Sequence, residues 1–284
     1  MLGECHGHIF MDGKSYRNAV ALHKYGVDKL DVRSKLALYK NAGVSFFRDG
    51  GDSLGVSVFA REIAPEYGID YRTPIFAIHK KGLYGGIVGK SFDSILEFRA
   101  LVEEVKAQRG DFIKIMMSGI MDFNVYGRLS SAPLDMPTAK ELIHIAHDEG
   151  FSVMVHANGR AVYTALECGA DSIEHGNFVS ADCADLFVQT GAIFVPTFAT
   201  VKNLIDDDRF PQNVTGRIHA EHLAFTAKCI KSGVTIACGS DAGAYRVPHP
   251  TGVADEKRCF ESMGYPIALL EQAQRDVMRR FARH

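Results

Sequence analysis

Residues 152–175 read SVMVHANGRAVYTALECGADSIEH. A short apolar run, Ser152–His156, gives way to a helix-like stretch, Arg160–Cys168; Gly169 then ends the helix, and a second run, Ser172–His175, follows. This is a strand–helix–strand unit, and parallel strands need such a crossover. The same alternation extends in both directions. Earlier strand-like runs are Glu4–Phe10, Val44–Asp49, Ile75–His79 and Phe112–Met117; later ones are Ala192–Pro196 and Thr235–Ser240. The helix-like stretches are Asp31–Asn41, Val56–Tyr67, Phe92–Gln108, Ala139–Glu149, Arg160–Cys168, Ala181–Gln189, Gly216–Lys231 and Ile267–Phe281. Leu96, Ala100 and Val105 show helical spacing in one of them. Gly43, Gly150, Gly191 and Gly233 follow helices as Gly169 does. Eight units without a Pro/Ser-rich linker predict an α/β fold, a single (β/α)8 TIM barrel occupying residues 1–284. A doubly wound sheet is the second choice.

The bulk numbers agree with a soluble globular chain. Among 284 residues, 46% are hydrophobic and 23% charged, and 32 Lys+Arg against 34 Asp+Glu leave a formal charge of −2. Such a balance gives no electrostatic case for nucleic acid or a membrane as partner. The N-terminal stretch MLGECHGHIFMDG has no basic region and no long apolar core, so no signal peptide is expected. No apolar run approaches the roughly 18 residues of a membrane span. The 6 cysteines form no C-x-x-C pair and read as free thiols, which predicts a cytoplasmic protein.

In a barrel of this kind the C-terminal ends of the strands carry the chemistry. Here those ends hold His6-Gly7-His8, His156, Glu174-His175 and Gly239-Ser240-Asp241. Histidines two apart on a strand share a face, so His6 and His8 point the same way. Four histidines and one aspartate at a single rim suit a divalent metal such as zinc. Lys114, inside Phe-Ile-Lys-Ile-Met-Met, is turned inward by the alternation. Burial lowers a lysine pKa and supplies a neutral amine. Such an amine takes up carbon dioxide to become an anionic carbamate able to bridge two metals. A salt bridge to a barrel carboxylate, or anchoring of a substrate anion, are the other readings of Lys114.

The order H-x-H, Lys114, His156, His175, Asp241 resembles the amidohydrolase superfamily. Phe47-Arg48-Asp49-Gly50, Ser118-Gly119, His156-Ala157-Asn158-Gly159, Ser172-Ile173-Glu174-His175-Gly176, Val195-Pro196-Thr197 and Gly239-Ser240-Asp241-Ala242-Gly243 resemble its imidazolonepropionase- and prolidase-like branch. The resemblance covers nearly the whole chain. It implies two divalent ions, typically Zn2+, with His6, His8 and Asp241 on one, His156 and His175 on the other, and carboxylated Lys114 between them. Family members usually add a small β-sandwich built from both termini; neither half is expected here.

The implied activity is hydrolysis of an amide C–N bond in a small molecule, an N-acyl amino acid or dipeptide-like compound. Two ions would lower the pKa of a shared water from about 15.7 toward 7, and the hydroxide would attack the carbonyl. Asp241 would serve as general base and then acid. Loops after the strands offer His79, Tyr84, Tyr126, Arg128, Tyr245, Arg246 and His249 as substrate-binding candidates. Of these, Tyr126 and Arg128 suit a substrate carboxylate. A lactonase or phosphotriesterase shares the Lys-bridged site. A cyclic amidine deaminase is less favoured, since no Glu follows His156 closely; a metal-binding barrel without turnover ranks last. A homo-oligomer stays open.

Several tempting signals are set aside. Residues 85–91 lack the first glycine of a P-loop, because position 84 is Tyr, and Ser91 reads as a helix cap. The pairs His144/His147 and His219/His222 do not make H-E-x-x-H and read as solvent-facing. No G-x-S-x-G elbow is present.

Overall fold

The computed structural model describes residues 3–282. Met1, Leu2, Arg283 and His284 belong to the expected 1–284 domain, and the first two to the N-terminal stretch read for a signal; they lie outside the described residues. Among the described residues there are nine strands: β1 (Glu4–Gly7), β2 (Phe46–Asp49), β3 (Asp70–Arg72), β4 (Ala77–Lys80), β5 (Gly89–Phe92), β6 (Ile113–Met116), β7 (Val153–Ala157), β8 (Ser172–His175) and β9 (Ile193–Val195). All ladders are parallel, in a sheet of order β1-β2-β3 and another of order β5-β4-β6-β7-β8-β9. The described residues thus show the expected parallel α/β architecture as two sheets, without ladders closing them into the expected single (β/α)8 barrel, and the reasons are local.

The first break lies within one run of chain. β3 pairs with β2, and four residues later β4 pairs with β6. Between them Pro74 has no N–H to give a ladder, and Ile75 sits at φ 70. The two carbonyls at this kink point to opposite neighbours: Thr73 accepts from Asp111 N at 2.9 Å, and Ile75 accepts from Asp52 N at 3.0 Å. The second break is at the last expected strand, Thr235–Ser240, which forms bridges rather than a ladder. Thr235 O and Ala237 N bond Phe194 at 2.9 Å each, while Cys238 O accepts from Cys5 N at 2.9 Å. This segment thus lies between β9 and β1. Ser240 gives its N–H to the Glu4 carboxylate at 2.8 Å instead of to a neighbouring strand, which interrupts the ladder there.

β3, β5 and the helices Tyr16–His23 and Thr251–Ser262 were not anticipated. Ser91 lies in β5; the cap of helix Ile95–Ala107 is Ser94, which accepts from Glu97 N at 3.3 Å. That helix buries Phe98, Val102 and Val105, whereas Leu96 is 78% exposed, so its apolar face is rotated from the expected one. Gly191 and Gly233 end their helices in the left-handed region, at φ 66 and 82, as a C′ glycine should. A core cluster of Cys5, Phe46, Phe112, Met154, Ile193, Val195 and Ala237 is covered by Ala273 and Val277 of the helix Ile267–Arg280, and by Phe281. Among the described residues, no helix is long and apolar enough to cross a membrane.

Candidate metal centre

β1 delivers His6, and His8 directly past its end, through a gap that only glycine leaves open. A Cβ on Gly7 would come within 2.7 Å of Phe47 Cζ, and one on Gly50 within 2.1 Å of His8 Cε1. Asp241, His175 and Thr197 take positive φ values of 59, 71 and 54. Non-glycine residues in that region cost about 1 kcal/mol or more each and persist where the surroundings hold them. For Asp241 the hold is visible: its N–H bonds His6 O at 2.7 Å, and Ser240 beside it donates Oγ–H to Glu4 at 2.5 Å.

The side chains converge. Ligand atoms of His6, His8 and Asp241 lie within 4.8 Å of one another; Asp241 Oδ1 is 3.6 Å from His6 Nε2 and 3.5 Å from His8 Nε2. The His175 ring is 5.0 Å from that of His6 and 4.5 Å from that of His156. His6 Nδ1 bonds Glu174 Oε2 at 2.7 Å, and His175 Nδ1 bonds Thr197 Oγ1 at 2.8 Å. His156 Nε2 has only a long contact, 3.4 Å, with Gly119 O. His6 Nε2, His8 Nδ1, Lys114 Nζ and Asp241 Oδ1 are buried with no hydrogen-bond partner. The salt-bridge reading of Lys114 finds no partner among the described residues.

Burial governs the charge of these groups. It pushes His8 and His156 down to about 3, with the Lys114 charge adding to the effect, and pushes His6 and His175 well below the usual value. All four imidazoles are therefore neutral at pH 7, the form that binds metal. Burial lowers Lys114 to about 8, against the pull of Glu174, and raises Asp241 to about 7. Neutral histidines, a carboxyl and a readily deprotonated amine make a donor set that fits divalent ions. The four unpartnered atoms supply the independent sign of a missing partner.

The six residues His6, His8, Lys114, His156, His175 and Asp241 line one cavity of about 960 Å³. Against solved structures the whole chain finds close relatives in shape. A Xaa-Pro dipeptidase with bound methionine in the active site superposes with a TM-score of 0.76 at 23% identity, over 99% of this chain and 75% of that one. A prolidase complexed with N-methylphosphonate-L-proline gives 0.75 at 19%, over 99% and 74%. The A. niger ochratoxinase gives 0.78 at 20%, over 95% and 68%. The chain shares its fold with these solved structures. No protein-family model matches the sequence. Uncharacterized proteins of Mycobacterium bovis and Mycobacterium tuberculosis are 29% identical over 132 residues, 44% of this chain and 35% of theirs. The match thus spans about a third of those relatives' length.

The loop candidates fare unevenly in this fold. Tyr84, Arg128 and Tyr245 line the cavity, and the Tyr84 ring lies 5.4 Å from that of His156. The other four do not line it. His79 is buried, with Nδ1 3.1 Å from Lys80 O. His249 holds Tyr39 OH at 2.7 Å and Met11 O at 3.1 Å. Arg246 pairs with Asp207 at 3.1 Å. Tyr126 bonds Glu221 and is covered by the Arg217 guanidinium, 3.6 Å from its ring centre. Even Arg128, at the cavity wall, already spends its fork on Asp122. A second correction concerns His222, read as solvent-facing. It is buried against Phe198, with ring centres 4.8 Å apart; its neighbour His219 is half-buried.

Sequence reasoning left several contributors without a role. Glu174, Arg48 and Thr197 stood in motifs but were given none, and Glu4 was unnoticed. A charged residue two before a candidate ligand on the same strand, as Glu4 is to His6, was the available signal. Lys14, Arg17 and Arg209 at the mouth were missed as well.

Proposed function

We propose that this chain is a metal-dependent hydrolase of the amidohydrolase superfamily, in its prolidase-like branch, cleaving the amide C–N bond of a small N-acyl amino acid or dipeptide-like substrate. The observation that carries this reading is the set of buried atoms without partners on residues that line the cavity, His6 Nε2, His8 Nδ1, Lys114 Nζ and Asp241 Oδ1. Leaving such an atom unbonded costs about 1–3 kcal/mol, so four together call for a partner outside the chain.

His6, His8 and Asp241 would hold one divalent ion and His156 and His175 a second, with Lys114 joining them; zinc suits this nitrogen and oxygen set. Lys114 would act as its carbamate: the neutral amine adds to carbon dioxide, an N–C bond forms and one proton leaves. Bound divalent ions supply Lewis acidity toward the carbonyl and acidify water at neutral pH. Asp241 takes the proton that the attacking water loses and hands it to the leaving nitrogen, so that the C–N bond breaks with release of a neutral amine. Lys14, Arg17 and Arg209 at the mouth would meet the substrate carboxylate. We read the two sheets as arcs of one barrel joined through residues 235–242, the chain 1–284 as one catalytic domain, and the cytoplasm as its place. Against a deaminase stands Asn158, whose side-chain oxygen accepts from Asn177 N at 3.1 Å and offers no carboxylate near His156.

The test is turnover of N-acyl amino acids, dipeptides and lactones by the chain purified without chelator, beside Asp241→Asn. Amide cleavage should dominate and should fall at least about 10²-fold in the variant, the low end for a lost general acid–base. Turnover of lactones alone would move the reading to a lactonase.

A further inference from the structure

Beneath His6 lies a network that the reaction just described does not use. Arg48, from β2, is 0% exposed. Its Nε donates to Cys5 O at 2.6 Å, its Nη1 to Ser172 Oγ at 3.0 Å, and its Nη2 to both oxygens of Glu174 at 2.9 and 3.1 Å. Ser172 in turn donates to Glu174 Oε1 at 2.5 Å. The guanidinium also lies 4.4 Å from the Phe281 ring centre, over the residue that follows the C-terminal helix. Glu174 is equally buried, and its Oε2 stands 2.7 Å from His6 Nδ1.

We infer that Glu174, anchored by Arg48, is a positioning residue that commits His6 to carry its proton on Nδ1 and to present a bare Nε2 to the cavity. Glu174 already receives N–H groups from Arg48 and the hydroxyl of Ser172, so toward His6 it is an acceptor, and the shared proton must belong to the imidazole. A neutral imidazole has one N–H; with that on Nδ1, the lone pair is on Nε2. That atom is the buried one without a partner, 3.6 Å from Asp241 Oδ1. His175 offers the contrast. Its Nδ1 meets the Thr197 hydroxyl, which donates or accepts equally well and leaves the tautomer free. His8 Nδ1 meets nothing. Among the four histidines, only His6 is fixed by a carboxylate. Carboxylate partners of this kind set ring orientation and raise ligand basicity, and their loss lowers metal affinity about 10- to 100-fold.

The inference rests on His6 being a metal ligand as proposed above, and the experiment separates the two. Nitrogen-15 NMR of the full chain, stripped of metal and labelled on histidine, reads the tautomer, with the His6 signals assigned by their loss in His6→Gln. The wild type should show His6 protonated on Nδ1; protonation on Nε2 overturns the inference whatever the protein binds. Zinc affinity by competition with a chromogenic chelator should then fall about 10- to 100-fold in Glu174→Gln, whose amide also donates and so releases the constraint. Glu174→Asp, which keeps the carboxylate, should recover part of that loss. An unchanged affinity in Glu174→Gln with a native circular dichroism spectrum overturns it too. A wild type that takes up no zinc, yet shows the Nδ1 tautomer, overturns the metal reading and leaves the orientation standing.

Discussion

The floor and the rim of the cavity are built by opposite rules. On the floor, buried polar groups pair with residues distant in the sequence: Arg48 reaches Glu174, and Glu4 reaches Ser240. On the rim, Arg128 and Arg217 each pair with a near neighbour in the sequence and stay in water. Arg128 pairs with Asp122, its side chain 61% exposed, and Arg217 with Glu221 four residues on. A buried charge that loses its partner has no water to turn to; an exposed one has. The floor should therefore hold geometry, while the rim is free to change for substrate.

The largest effect is expected at Arg48. Arg48→Met should lower unfolding stability by about 3–5 kcal/mol in urea, because Glu174 is left buried without its counter-charge. A loss under 1 kcal/mol would mean that the floor is no more coupled than the surface.

Glu256 sharpens the contrast, as a buried carboxyl held by dipoles rather than by a charge. It accepts from Phe198 N at 3.0 Å and Ala199 N at 2.9 Å, and burial raises it well above the usual 4.5. With the folded value raised, the folded chain keeps this proton where the unfolded chain has lost it. The contribution to stability is full below pH 4.5 and declines as pH rises toward the folded value. Glu256→Gln should flatten that decline by as much as one proton, about 1.4 kcal/mol per pH unit, in melts recorded from pH 4 to 8. An identical slope in wild type and variant would contradict it. The smallest effect belongs to the rim: Arg128→Ala should change stability by less than about 1 kcal/mol, and a larger change would place that loop with the floor.

The same division decides how much the amino-acid sequence reveals. His6, His8, Lys114, His156, His175 and Asp241 were legible because period-2 alternation and strand order bring them to one cavity. The break at Pro74 was less so: it left the path of the chain intact while ending a ladder, and Ile75 is an unexpected residue for positive φ. Arg48 had no readable role, because the carboxylate that explains it lies 126 positions away. The rim failed for the reverse reason. Tyr126, Arg128 and Arg246 looked free, yet each found a carboxylate on the loops or helices around it. His222 was misjudged because a polar residue on a long helix was assumed to face water, whereas Phe198 packs over it.

The central claim is that the cluster at the cavity holds divalent ions joined through Lys114. Its most direct test is elemental analysis by plasma mass spectrometry of the chain purified without chelator, wild type beside Lys114→Ala. The account predicts about two ions per wild-type chain, as in a two-metal hydrolase site, and a clear loss in the variant. A wild type without metal, or a variant that retains the full content, would contradict it.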